Sequence, residues 1–339
     1  MSRKRTLVSL FDRRVVRRLT LAPVVAIAAV VGIALSPVIV FVVAGSDFVT
    51  RQPRWRRTRL AVLILGALTI ELVGMLTSLL VWILTGFNRV GSSRWRWHLH
   101  RSYMGRYTSA LLTLIARVIG TTIEWRDRAD LDHGPVVLLA RHTSFFDALI
   151  PATVLSRRNS LLAHHVVTHG LQYAPCIDIV GHRFPNRFIK RSVGEGSSEL
   201  PHIEAIGSVL DDRSAAIIFP EGTFRNPARF ERVVRRLRRR EPELADRAAD
   251  LDHVLPPRAN GTLALLEGAE HADVVVCTNT GFEKFGTIRA IRDQPWSDTP
   301  IIIETWRIRR ADIPSDLTEF STWLFDEFVK IDAWVEAET

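Results

Sequence analysis

The chain has 339 residues and carries 45 Lys and Arg against 36 Asp and Glu, a formal net charge of +9. That length accommodates an α/β domain of more than about 200 residues plus a separate anchoring segment. The basic balance points to an anionic partner, nucleic acid or acidic lipid, and two cysteines exclude a disulfide-stapled scaffold. Neither Cys176 nor Cys277 lies in a motif that supplies a base, so both read as buried structural thiols in a reducing compartment.

Composition is 47% hydrophobic with a mean hydropathy of +0.09, and the apolar excess sits almost wholly before residue 86. Residues 1–19 form a basic tail with Arg3, Lys4, Arg5, Arg13, Arg14, Arg17 and Arg18. Residues 20–86 then read as a membrane hairpin of two hydrophobic helices. The first run, residues 20–44, is uncharged and as a helix extends roughly 37 Å, against a hydrocarbon core of about 30 Å. The second, residues 60–86, is interrupted only by Glu71. Such length, and a second run with no small-residue cleavage site between, argue against a secretory signal peptide.

Both flanks of the hairpin are basic, and so is its connecting loop, with Arg51, Arg54, Arg56, Arg57 and Arg59. Two full spans would carry that loop outside, against the positive-inside rule. Pro23 and Pro37 are expected to be able to break the first helix, permitting a hairpin that dips into one leaflet. Both arrangements stay open at this point. Glu71 facing lipid would cost about 2.5–3.5 kcal/mol, so it is expected to face the partner helix or to be protonated.

Residues 87–120 mix Trp, Tyr and Arg with an apolar stripe at Leu111, Leu112, Leu114, Ile115, Val118 and Ile119, the signature of an interfacial helix. Residues 121–339 form the globular domain. Thr121–Arg126, Val136–Ala140, Ala215–Phe219, Val274–Cys277 and Ile301–Glu304 read as strands. Their alternation with helical segments predicts an α/β fold. A basic stretch at 229–247 carries Val233, Val234 and Leu237 on one side, and the last 25 residues form an amphipathic helix packed on the domain.

Two segments carry chemistry. Val136–Ala140 runs into Arg141-His142-Thr143-Ser144-Phe145-Phe146-Asp147. Five residues along one regular helix would put His142 and Asp147 about 140° apart. They meet only if His142 ends the strand and Asp147 stands in the first turn of the next helix, whose start the Ser144–Asp147 spacing marks as a capping box. Asp147 then holds one imidazole nitrogen and leaves the other as a base toward a hydroxyl. The second segment is Phe219-Pro220-Glu221-Gly222-Thr223-Phe224-Arg225, a turn after a strand whose N–H groups and guanidinium suit a phosphate.

HxxxxD followed by a basic segment and FPEGTxR is similar to the glycerolipid acyltransferases typified by lysophosphatidic acid acyltransferase. The resemblance covers roughly residues 95–337. It implies a mixed central sheet flanked by helices, the N-terminal hairpin standing apart. It also implies His142 as base and Asp147 as its orienting partner. Glu221, Gly222, Thr223 and Arg225 would line the phosphate of the acceptor. Phe188-Ile189-Lys190-Arg191 looks like the family's second motif, which makes Arg191 a further phosphate ligand, with Arg183, Arg187 and Arg258 as additional substrate-binding candidates.

The implied reaction moves a fatty acyl group from acyl-CoA or acyl carrier protein, the co-substrate, to a lysophospholipid, with no cofactor and no metal. Departures from the family pattern are Arg141 where Asn is frequent, and Leu255-Pro256-Pro257-Arg258 in place of the usual fourth motif. The latter, with the C-terminal amphipathic helix, resembles the branch acting on lysophosphatidylinositol or lysocardiolipin, so the acceptor stays open between lysophosphatidic acid and larger lysophospholipids. A non-catalytic anionic-lipid-binding protein is the alternative from another class.

His164, His165 and His169 suggest a metal site if 165 and 169 share a helix face, but no carboxylate or Cys completes the set. The 229–247 stretch has no interleaved aromatics to stack bases, so it reads as contacting anionic lipid or donor phosphates and not nucleic acid. The expected location is a bacterial plasma membrane, the catalytic domain on its cytoplasmic face.

Overall fold

The computed structural model describes residues 14–157, 161–183, 186–189, 197–239, 241–285 and 299–339. Two long helices come first, α1 (Arg14–Val49) and α2 (Arg56–Leu84), packed as an antiparallel pair. Both are long and apolar enough to cross a membrane. Their most apolar windows are only 6% and 11% buried by protein, whereas the core helix of a soluble domain would hide its apolar face. Pro23 and Pro37 lie inside α1 without ending it, so the break that they were expected to permit does not occur.

Helix α3 (Ser93–Ile119) follows, started by the Ser92 side chain accepting from the Trp95 N–H and ended at Gly120. Its aromatic and Arg content suggested a membrane interface. Leu112, Ile115, Val118 and Ile119 of its apolar stripe are buried in one core with the central strand, while Trp95 near its start is 42% exposed.

The domain alternates β1 (Ile123–Asp127), β2 (Val136–Ala140), α4 (Ile150–Arg157), β3 (Leu162–Thr168), α5 (Pro175–Gly181), β4 (Arg187–Ile189), α6 (Leu200–Gly207) and β5 (Ser214–Ile218). It continues with α7 (Pro227–Leu237), α8 (Pro242–Ala248), α9 (Ala259–Gly268), β6 (Asp273–Thr280), β7 (Ile301–Ile308) and α10 (Leu317–Glu338). The seven strands form one sheet in the order β1-β7-β6-β2-β5-β3-β4. Neighbours are parallel except β6 and β7. The fold is therefore α/β with a mixed sheet, as the strand–helix alternation predicts.

The sheet divides two cores. Val136, Leu138 and Ala140 of β2 face α3 and α4, while Val137 and Leu139 face α6, α9 and α10. This period-2 division requires both faces of β2 to be apolar, which the run VVLLA supplies. Helices α6 and α9 approach so closely that a Cβ on Gly207 would stand 2.2 Å from the Leu265 carbonyl oxygen. Along α10, Phe320, Leu324, Phe328, Ile331 and Val335 are buried, as expected for a helix packed on the domain.

The chain leaves β2 through α4 toward β3, and leaves β5 through α7, α8 and α9 toward β6. These adjacent strands thus send their connections across opposite faces of the sheet. Such a switch point opens a crevice beyond the carboxyl ends of the strands. One correction concerns the histidines. Residues 162–168 form a strand, so His165 and His169 do not share a helix face. The basic stretch 229–247 runs from α7 into α8.

Candidate active site

His142 lies just beyond β2 and Glu221 just beyond the neighbouring β5, so both signature segments open into the crevice. His142 Nδ1 stands 3.0 Å from Asp147 Oδ1. The other carboxylate oxygen of Asp147 accepts from the Thr143 N–H, from Thr143 Oγ1 at 3.0 Å and from the Ser144 N–H at 2.8 Å. With the carboxylate acting only as acceptor, Nδ1 must carry the proton and Nε2 is left with its lone pair. The Asp147 side chain is sealed while that of His142 stays 21% exposed, so the imidazole is the member of the pair that a substrate can reach.

The turn that achieves this keeps one half of a capping box, the Asp147 carboxylate accepting the Ser144 N–H, and departs from it in the other half. The chain enters a 3-10 turn at Asp147–Leu149 and only then α4. Asp147 reaches back to the N–H groups of the residues before it, and Ser144 Oγ accepts from Phe146 N at 3.1 Å. The charge balance at the imidazole follows. Burial opposes protonation of His142, but the hydrogen bond and charge of Asp147, with the Glu221 charge, outweigh it and raise the pKa above 6.5; Arg229 opposes them.

Glu221 does not line the crevice as the resemblance implies. It is 1% exposed, with Oε1 accepting from the His142 N–H at 2.7 Å and Oε2 from the Leu255 N–H at 2.9 Å. Burial pushes its carboxyl up to about 7, against the pull of these two N–H groups and of Arg141. The side chain is thus a brace that joins both signature segments to the Leu255 loop.

Gly222 has φ +68°, a left-handed conformation that favours glycine, and Thr223 beside it is half-buried. Arg258 lies at this turn: its Nη1 is 3.5 Å from where a Gly222 Cβ would stand, and its N–H donates to the Pro220 carbonyl at 3.0 Å. Arg225 is turned aside, bonded to the Leu251 carbonyl at 3.1 Å and stacked on Phe230 at 4.5 Å. Closer to the imidazole is Arg229, which in the sequence stands out only as part of the basic stretch 229–247. Its guanidinium lies 4.4 Å over the Phe224 ring, which in turn packs 5.6 Å from His142. The available signal was spacing, since Arg225 and Arg229 are four apart at a helix start capped by Asn226.

Phe219 packs 4.8 Å from His142, and Phe145, 53% exposed, lies 5.4 Å from Phe224. Together they give the crevice an apolar collar. Arg141, where the family often has Asn, is fully enclosed and bonds Glu283 at 2.8 Å, the His253 carbonyl at 2.9 Å and the Asn279 carbonyl. It ties the end of β2 to β6 and to the loop before α9.

The remaining cationic candidates stand elsewhere. Arg187 pairs with Glu199 at 2.7 Å on the edge of the sheet. Arg183 bonds the Ser78 carbonyl of α2 at 3.1 Å, away from the His142 crevice. Arg191 lies outside the described residues. Both cysteines are free and buried. Among the described residues no three His, Cys, Asp or Glu side chains converge as a metal site.

The acyltransferase family model matches residues 122–303, more than half of the chain. No curated protein and no solved structure matches it.

Proposed function

The chain belongs to the glycerolipid acyltransferase family, and on that premise we propose that it acylates the free hydroxyl of a lysophospholipid. The single observation carrying the assignment of roles is the 3.0 Å His142–Asp147 contact with the imidazole partly open to the crevice. Nε2 takes the proton of the acceptor hydroxyl as its oxygen attacks the thioester carbonyl of acyl-CoA or acyl carrier protein. The tetrahedral species collapses by breaking the C–S bond, and the imidazolium returns its proton to the leaving thiolate. The substrate oxygen is the nucleophile, so no acyl-enzyme forms.

Arg229 and Arg258, with Gly222 and Thr223, are the groups we assign to the acceptor phosphate, a forked cationic cradle beside the base. Arg225 supports this wall through Phe230. The aromatic collar of Phe145, Phe219 and Phe224 suits the acyl chain and keeps water from the thioester. Lysophosphatidic acid, giving phosphatidic acid, is the first acceptor to test, with lysophosphatidylinositol and lysocardiolipin as larger ones. We place the protein at the cytoplasmic face of a bacterial plasma membrane, held by α1 and α2, whose exposed apolar faces support a lipid environment.

The test is acyl transfer by the purified full chain given labelled acyl-CoA or acyl carrier protein and this panel of lysophospholipids. His142→Ala should lower transfer about a hundredfold or more. Equal transfer by both proteins would remove His142 from the chemistry. Thioester loss without lysophospholipid would make the protein a hydrolase, and no turnover by either protein would leave a lipid-binding protein.

A further inference from the structure

A cavity of about 390 Å³ lies between α1, α2 and α5, lined by Arg14, Arg18, His182 and Arg183 together with Met75 and Trp82. It shares no residue with the His142 crevice. Its wall is built around one enclosed carboxylate: Asp178 accepts from Arg17, from Arg18 Nε at 2.8 Å, and pairs with His182 at 3.2 Å. That single negative charge is shared among three cationic or titratable partners. Arg183, half-buried, bonds a neutral carbonyl on α2, and among the described residues no acidic side chain pairs with it or with Arg14.

Half-enclosed guanidinium groups in excess of carboxylates favour an anion, and phosphate oxygens match their forked donors. What brings the anion is indicated by the surroundings. On α1 the next residues, Val15 and Leu19, are 68% and 71% exposed, and on α2 Leu80 and Ile83 are each 54% exposed. Trp82 and Met75 add an apolar side to the cavity itself. A cationic pocket rimmed by bare apolar helix faces fits a molecule with a phosphate at one end and hydrocarbon at the other. A free phosphate would use only half of these features.

We propose that the cavity at the root of the hairpin binds the phosphate of an anionic glycerophospholipid of the bilayer, at a site separate from the catalytic crevice. The phosphate sits against Arg14, Arg18 and Arg183, and the acyl chains run along the exposed faces of α1 and α2. Such a lipid clamps the hairpin root to α5 and hence to the sheet.

The experiment is calorimetric titration of the full chain in non-ionic detergent with dihexanoyl-phosphatidylglycerol, repeated with dihexanoyl-phosphatidylcholine, inorganic phosphate and CoA. Saturable binding of phosphatidylglycerol is expected, weakened about tenfold by Arg183→Gln, as for loss of one charge-assisted contact, and unchanged by Arg117→Gln on exposed α3 surface. Because Arg183 also bonds Ser78, Arg14→Gln is the second variant and should weaken binding in the same direction. Equal losses with Arg117→Gln would reduce the effect to general surface charge and overturn the site. Loss with Arg229→Gln in place of Arg183→Gln would move the lipid to the catalytic crevice. Equal affinity for inorganic phosphate or CoA would overturn the lipid assignment, and no saturable binding would overturn the proposal altogether.

Discussion

Glu221, beyond the end of β5, accepts the main-chain N–H of His142, beyond the end of β2, at 2.7 Å. The catalytic candidate and the turn of the second signature are therefore one hydrogen-bonded unit and not two neighbours that happen to share a crevice. The second oxygen of the same carboxylate holds Leu255, which leads to Arg258 at the Gly222 turn. Position of the base, the glycine turn and one cationic wall all depend on a carboxylate that solvent barely touches.

Substituting Glu221→Gln tests this. The amide has one acceptor oxygen, so either the His142 or the Leu255 N–H faces an NH₂ group, leaving a buried donor unsatisfied at about 1–3 kcal/mol. Thermal unfolding should shift down, and transfer should fall about tenfold or more through misplacement of the base. An unchanged melting temperature with unchanged turnover would show that the brace is dispensable.

The protonation balance at His142 predicts a pH profile. A general base works when neutral, so the acidic limb of kcat/KM should lie above 6.5, where Asp147 and Glu221 raise the imidazole against the effect of burial. Asp147→Asn removes the raising charge: the limb should move toward lower pH while maximal turnover drops by about two orders of magnitude or more. Arg229→Gln removes a lowering charge and should move the limb upward, with a raised KM for the phosphate-bearing acceptor. Movement of both variants in one direction would contradict these assignments.

Much of this arrangement can be read in the sequence, and the rest fails for identifiable reasons. The strand expected over Val136–Ala140 is present to the residue, because a five-residue run of apolar side chains has only one use in the centre of an α/β sheet. Strand β3 goes unrecognised because its middle carries two consecutive histidines, His164 and His165, which suggest metal ligation or a helix before they suggest a pleat. Strand β4 has three residues, too few for any period. Meeting of His142 with Asp147 follows once β2 is taken to end just before His142, but the inward turn of Glu221 does not follow, since a carboxylate is drawn as readily to a ligand as to backbone N–H groups. The arginines show the limit most clearly. Charge alone cannot distinguish Arg183, committed to the hairpin, from Arg229, stacked over Phe224 beside the base.

Buried imidazoles predict acid sensitivity independently of catalysis. Burial lowers His100 and His164 to about 4. In the unfolded chain each binds a proton near pH 6.5, so between about 6.5 and 4 the unfolded state holds more protons than the folded one. Stability therefore rises with pH across that window and is lost as pH falls, by about 3 kcal/mol for the deeply buried His164 when fully expressed. Among the described residues neither ring nitrogen of His164 has a hydrogen-bond partner, so His164→Leu should raise the melting temperature and flatten its decline between pH 6.5 and 4.5. A steeper decline in that variant would contradict the assignment.

The course of α2 along the domain predicts how the hairpin meets the bilayer. At its start Arg59 donates to the Ile119 carbonyl at 3.1 Å; at its middle Glu71 accepts from Tyr107 Oη at 2.5 Å and from the Cys176 N–H at 2.7 Å. Toward its end Ser78 accepts from Arg183. Glu71 thus faces α3 and α5 and not the partner helix α1, the first of the two arrangements expected of it. A helix crossing about 30 Å of hydrocarbon with all three of these ties intact would draw α3 and α5 into the bilayer with it. The arrangement that keeps the ties and still gives the bare face of α1 to lipid is a hairpin embedded in one leaflet, its basic loop at the same anionic surface as its ends. A Gln52→Cys variant, in which Cys176 and Cys277 remain buried, should then react with a membrane-impermeant maleimide in inside-out vesicles and stay unlabelled in intact cells. Labelling from outside intact cells would establish two crossings, and α2 would have to leave α3 in the membrane to make them.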